Sequence, residues 1–200
     1  MIAIVDYGAG NIFSVKNALD FLGFDSILTK DKAELEAADS IILPGVGAFP
    51  AAMRMLGESG LVDTLKEQAR KKPFLGICLG MQLLFEKSYE FEVCEGLSLI
   101  NGYVDKIDEP DLVIPHMGWN KLEIKQPCPL FKGLGNDEFV YFVHSYKAFC
   151  GSEALYADCI YGHSVPAVVG DGNFVFGCQF HPEKSGNTGL RILENFAKMR

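Results

Sequence analysis

The sequence predicts an α/β fold with a mostly parallel central sheet, on three observations. Short apolar, β-branched runs alternate with segments of helical periodicity through the first half of the chain. The run Pro73-Phe74-Leu75 passes directly into Gly76-Ile77-Cys78-Leu79-Gly80, a strand turning sharply into a helix with a cysteine at the corner. Alternating strand and helix implies parallel strands covered by helices on both faces. In the second half, shorter runs divided by turns imply antiparallel strands added to that sheet.

Taken in order, residues 2–6 are a strand. Asn11 caps a helix in which Ile12, Val15, Leu19 and Leu22 recur at helical spacing, closed by Gly23. Ser26–Thr29 is a second strand and residues 40–43 a third, buried one. Pro50 opens the next helix, and residues 61–72 form another amphipathic one. The strand and corner at Phe74–Cys78 lead into an apolar helix over 79–85. Beyond it, residues 99–107, 139–143, 154–161, 167–169 and 174–180 read as strands. Residues 189–199 are a closing helix with Leu190, Leu193 and Phe196/Ala197 on one face. No linker, repeat or low-complexity segment intervenes, so residues 1–200 are expected to form one domain.

Composition narrows the function. A chain of 200 residues, 48% hydrophobic and 22% charged, can bury one sizeable core. A net charge of −8 lacks the basic footprint that nucleic-acid binding needs. No run of about 18 apolar residues is available to span a bilayer. The start Met1-Ile2-Ala3-Ile4-Val5-Asp6 has neither a basic region nor a cleavage site, so a cytoplasmic protein is expected. Cys78, Cys94, Cys128, Cys150, Cys159 and Cys178 are scattered without a CxxC pair, as reduced thiols are, and no disulfide framework is expected. His116, His144, His163 and His181 stand too far apart for zinc-ligand spacing. Gly8-Ala9-Gly10 begins like a dinucleotide fingerprint, but Phe13 holds the third glycine position. The reading therefore includes no metal and no cofactor.

The chemistry centres on Cys78. Flanking glycines let the backbone turn tightly, and the helix starting at Leu79 offers its dipole and free N–H groups to a thiolate. A thiol nucleophile acting on an acyl group needs a base, a group to orient that base and an oxyanion hole. His181 is the base candidate, at the end of a strand where open α/β sheets form their sites. Pro182 favours an extended His181, so Glu183, two residues on, can share its face and hold the imidazole. His144 is the rival base, lacking an adjacent acid. In Pro44-Gly45-Val46-Gly47, two glycines around a β-branched residue free the peptide at Val46 and Gly47 to turn an N–H toward an oxyanion. The N–H of Leu79 is the second donor. Gln82, one helical turn past Cys78, faces back toward the corner.

These residues resemble a known family. Gly-Ile-Cys-Leu-Gly-Met-Gln at 76–82 with a late His-Pro-Glu at 181–183 is similar to the class I (triad) glutamine amidotransferases. Five further runs sharpen the likeness: residues 6–11, 44–49, 116–120, 141–146 and 181–185. Together they resemble the glutaminase subunits of imidazole glycerol phosphate synthase, over nearly the whole chain. Glutaminases of pyridoxal-phosphate synthase and free-standing cysteine hydrolases are the alternatives. The resemblance implies a flavodoxin-like three-layer fold and glutamine as substrate, hydrolysed through a thioester on Cys78. It implies Gln82, Ser145, Tyr146 and Glu90 as contacts to the glutamine. It also implies a separate (β/α)8 cyclase subunit as heterodimer partner, which takes up the ammonia and whose ligand switches the glutaminase on. Asn11, Trp119, Tyr141 and Lys184 match the docking face. A mobile Pro44–Gly47 loop hinged at Gly45 and Gly47 would serve as the switch. Gly186 departs from the pattern, which would place a larger polar residue there.

Overall fold

The protein is described by a computed structural model covering residues 1–108 and 111–199. Its element order is β1 (Ile2–Val5), α1 (Ile12–Phe21), β2 (Ser26–Thr29), α2 (Lys32–Ala37), β3 (Ser40–Gly45), α3 (Phe49–Glu58), α4 (Val62–Gln68), β4 (Phe74–Cys78) and α5 (Leu79–Gln82). Then follow β5 (Phe85–Ser88), β6 (Cys94–Glu95), β7 (Ile100–Lys106), β8 (His116–Lys121), β9 (Glu123–Ile124), β10 (Phe139–His144), β11 (Tyr146–Phe149), β12 (Leu155–Tyr161), β13 (His163–Gly170), β14 (Val175–Cys178) and α6 (Gly186–Ala197). Short 3-10 turns occupy Pro129–Phe131 and Pro182–Lys184.

The main sheet has eight strands in the order β2-β1-β3-β4-β14-β13-β12-β9. Its first five are parallel, and β13, β12 and β9 add antiparallel pairs. An order of 2-1-3-4-5 in the parallel part is the flavodoxin-like, doubly wound arrangement. Side chains of the central strands alternate between two cores. Ile4, Ile42, Leu75 and Ile77 pack with α1 and α6 through Val15, Leu19, Leu193 and Phe196. Val5, Ile41, Leu43 and Phe74 pack on the opposite face with Leu35, Leu56, Leu65 and Leu79. Strand β3 is buried along its whole length, which is why it reads as an unbroken apolar run. Two smaller sheets, β11-β7-β5-β6 and β10-β8, lie outside this layer.

Several elements differ from expectation. Asn11 makes no side-chain cap at α1, although Gly23 ends that helix at φ +80° as expected. Helix α2 was not anticipated; Asp31 caps it through Ala33 and Glu34, but a helix with Leu35 as its one buried residue shows no apolar period. The apolar segment at 79–85 forms one helical turn and then leaves as β5, drawn into pairing with β7. Hydrophobicity on every side cannot tell those two outcomes apart. Strand β8 also went unread, because Gly118 interrupts it at φ +134°. Helix α4 stops at Gln68, short of Lys72, and α6 starts at Gly186, three residues early.

Candidate active site

The corner after β4 is a strained elbow. Cys78 has φ 56° and ψ −113°, a conformation that costs a non-glycine residue about 1–3 kcal/mol and persists only where the surroundings impose it. Close packing imposes it here. A Cβ on Gly80 would stand 1.8 Å from the Leu43 carbonyl oxygen, and one on Gly76 2.6 Å from the carbonyl oxygen of Gly80. The two flanking glycines are thus fixed by contact as well as by the turn. Cys78 is buried, and Leu79 begins α5 with an N–H that no earlier turn of helix can claim.

Strand β14 runs parallel beside β4 and delivers the partners. His181 follows it in extended conformation, and its Nδ1 lies 2.9 Å from Oε1 of Glu183. The chain turns into a 3-10 helix at Pro182, so the pair meets across a tight turn, where sequence spacing suggested a plain extended strand. Burial pushes the His181 imidazole down, but hydrogen bonds to Cys78 and Glu183 outweigh it and hold the pKa up at about 9. His181 therefore keeps a proton next to the Cys78 sulfur at neutral pH. The Glu183 side chain is fully buried beside it.

Gln179 is a site residue that sequence reasoning missed. It is completely buried, and its Nε2 points at the Cys78 sulfur from 4.0 Å. Its Oε1 accepts from Gln82 Nε2 at 3.0 Å, which also donates to the Tyr146 carbonyl at 3.1 Å. The Gln82 amide N–H groups thus brace the site's own frame. The signal for Gln179 was its place two residues before His181, on the same face of an extended chain.

His144 is not a rival base. Its Nδ1 lies 2.8 Å from the Tyr146 carbonyl oxygen and its Nε2 3.0 Å from His116 Nδ1, so both ring nitrogens are occupied. Burial, with His116 and His181 nearby, drives its pKa down to about 3.

A cavity of about 300 Å³ opens onto Cys78 and His181, lined also by Val46, Gly47, Leu79, Gln82, Glu90, Val143, Ser145 and Tyr146. Every residue expected to form the oxyanion hole or contact the substrate lies on its wall. Glu90 is its acidic group; Oε2 accepts the Phe49 N–H at 2.7 Å, so the carboxylate also caps α3. Burial raises the Glu90 pKa, and the Phe49 bond counters it. Gly47 has φ +99° and open space around its Cα, whereas Gly45 is wedged: a Cβ there would lie 2.7 Å from Gly80 N. Close approach alone is enough to require glycine at 45.

The family model of class-I glutamine amidotransferases matches residues 3–199. The imidazole glycerol phosphate synthase subunit HisH of Listeria innocua is 53% identical over 201 residues, covering 100% of this chain and 96% of its own. That of Bacillus thuringiensis is 54% identical over 197 residues, covering 98% and 93%. The chain belongs to the class I glutamine amidotransferases, in the HisH family. Solved structures agree on the fold. One described as a glutamine amidotransferase superposes with TM-score 0.76 at 21% identity over 98% of this chain and 99% of that one. PurLQS from Thermotoga maritima gives 0.75 at 20% identity over 98% and 96%.

The residues expected at a docking face, Asn11, Trp119, Tyr141 and Lys184, sit at the start of α1, on β8, on β10 and on the 3-10 turn after His181. Trp119 and Tyr141 are cross-strand neighbours on β8 and β10, their rings 6.0 Å apart edge to face. Lys184 is exposed on the 3-10 turn, whose Ser185 holds the Tyr141 N–H at 2.9 Å. Asn11 stands at the head of α1, which packs against that turn. Gly186 has φ +56°, a region that disfavours the larger residue expected there.

Proposed function

We propose that this chain hydrolyses glutamine to glutamate and ammonia through a γ-glutamyl thioester on Cys78, and passes the ammonia to a cyclase subunit of imidazole glycerol phosphate synthase in histidine biosynthesis. The observation that carries the chemistry is the joint placement of Cys78, His181 and Glu183 at a cavity of about 300 Å³. The Cys78 sulfur attacks the side-chain carboxamide carbon, and the carbonyl oxygen becomes an oxyanion met by the N–H of Leu79 and those of Val46 and Gly47. His181 gives its proton to the departing nitrogen, releasing ammonia and leaving the acyl group on sulfur. Water then attacks the thioester as His181 takes its proton; glutamate leaves and the sulfur is free again. Glu183 stabilises the imidazolium throughout. Glu90 faces the substrate ammonium, with Ser145 and Tyr146 on the adjoining wall.

The relatives are named as subunits of a synthase, which supports a second chain as acceptor of the ammonia. A (β/α)8 cyclase docked on Asn11, Trp119, Tyr141 and Lys184 fits the exposed apolar residues of β8. Met117 and Trp119 alternate outward along β8, 60% and 54% exposed. Among the described residues no helix is long and apolar enough to cross a membrane. The test is glutamate release by the purified chain, alone and with a cyclase subunit plus its nucleotide ligand, against Cys78→Ala. A low rate that rises steeply with the liganded partner and vanishes in Cys78→Ala is expected. No rate in any mixture overturns the reading.

A further inference from the structure

Tyr7 follows β1 and starts the loop that leads into α1. It is 6% exposed, and its hydroxyl has no hydrogen-bond partner among the described residues. A buried hydroxyl without a partner opposes folding, so its retention calls for an explanation. Its neighbours supply one. A Cβ built on Gly45 would lie 3.0 Å from the Tyr7 hydroxyl and 3.0 Å from the Leu79 Cβ, so the hydroxyl lies against the Gly45 backbone. Gly45 ends β3 directly opposite Cys78, and the next peptide begins the oxyanion loop. Three residues further on, a Cβ at Gly10 would lie 3.3 Å from the Pro44 carbonyl carbon, so this turn also abuts the strand end. Burial, and then the proximity of Cys78, keep the phenol protonated far above neutral pH, so the group is a donor.

Geometry says when that donor would be used. Tyr7 is not among the residues lining the cavity; it sits behind the strand end. The N–H and C=O of a trans peptide point in opposite directions. If the Gly45–Val46 peptide turns its N–H into the cavity, its carbonyl turns away from the cavity. That carbonyl carbon is one bond from the Gly45 Cα, which packing holds beside the hydroxyl. We propose that Tyr7 is a positioning residue of the glutaminase, whose hydroxyl donates to the Gly45 carbonyl once the loop adopts its oxyanion-binding form. The bond is absent at rest and present in the competent state, so it favours the switch. This rests on reading residues 44–47 as the oxyanion loop of a partner-activated glutaminase.

The test is Tyr7→Phe in the full chain, read two ways. Deleting an unpartnered buried hydroxyl raises the melting temperature of the free chain by about 2–4 °C. With the cyclase subunit and its nucleotide ligand bound, kcat for glutamate release falls about tenfold while KM for glutamine stays within about twofold, since the lost bond is made only in the competent state. An unchanged stimulated kcat overturns the proposal and leaves the glutaminase reading standing. A lowered melting temperature also overturns it, because the hydroxyl would then be a structural group already satisfied at rest. A wild-type chain with no glutaminase activity in the same assay overturns both.

Discussion

The two halves of this site are built on opposite principles. At the elbow, Gly76 and Gly80 are pressed against neighbouring backbone, and Cys78 between them stands at φ 56°. At the loop facing it, Gly47 has nothing within 4 Å of where a Cβ would be, and Val46 is 46% exposed. A nucleophile fixed in place and an oxyanion donor left free to turn divide the labour. In the proposed mechanism the first preorganises attack, and the second decides whether attack leads anywhere. If ammonia is released only when an acceptor is ready, as proposed, regulating the second gains most.

Changes on the fixed side have the largest expected effects. Glu183→Gln retains the shape but removes the charge that supports the imidazolium, and kcat falls by about 10³–10⁴-fold in steady-state assays. It also changes a pH profile. The folded pKa of His181, about 9, lies above its ordinary 6.5, so bound protons stabilise the fold fully below that lower value. This stability is lost as pH rises from 6.5 through 9. Denaturant midpoints compared near the two limits fall in the native chain, and fall less in Glu183→Gln. Gly80→Ala forces a Cβ into the Leu43 carbonyl and destabilises the chain by about 3 kcal/mol, read as a lower melting temperature.

Changes on the mobile side are smaller and act on the response. Trp119→Ala weakens the complex by about 2 kcal/mol, roughly thirtyfold in Kd, measured by titration with the cyclase subunit. Gly47→Ala costs about 1 kcal/mol at φ +99° and alters the resting or stimulated rate of glutamate release. If both rates stay at native values, Gly47 is not part of the switch and the contrast between the two halves loses its meaning.

What the sequence made legible follows the physics of each segment. Strands β1, β3 and β4 announce themselves because parallel strands buried on both faces are continuous apolar runs, and the Gly-Ile-Cys-Leu-Gly corner because only glycine tolerates such contacts. The cluster of Cys78, His181 and Glu183 was readable because the acid lies two residues from the base. Other features depend on neighbours distant in sequence. Gln179 becomes a sulfur contact only because β14 lies beside β4. His144 loses its candidacy only when His116 arrives 28 residues away across a β-ladder. Gly45 reads as a hinge beside Gly47, and only the approach of Gly80 and Tyr7 adds a packing reason for glycine there. Asn11 had the right side chain for a cap, yet the loop ahead of α1 carries its side chain elsewhere.

The contrast between a preset nucleophile and a switched loop is tested most directly on the complex with the cyclase subunit, with and without the nucleotide ligand. In both states the rate of Cys78 alkylation by a small reagent is measured beside the rate of glutamate release. A ready-made elbow predicts that alkylation hardly changes while hydrolysis rises steeply with the ligand. Alkylation rising in step with hydrolysis would contradict it, because the nucleophile itself would then be what the partner switches on.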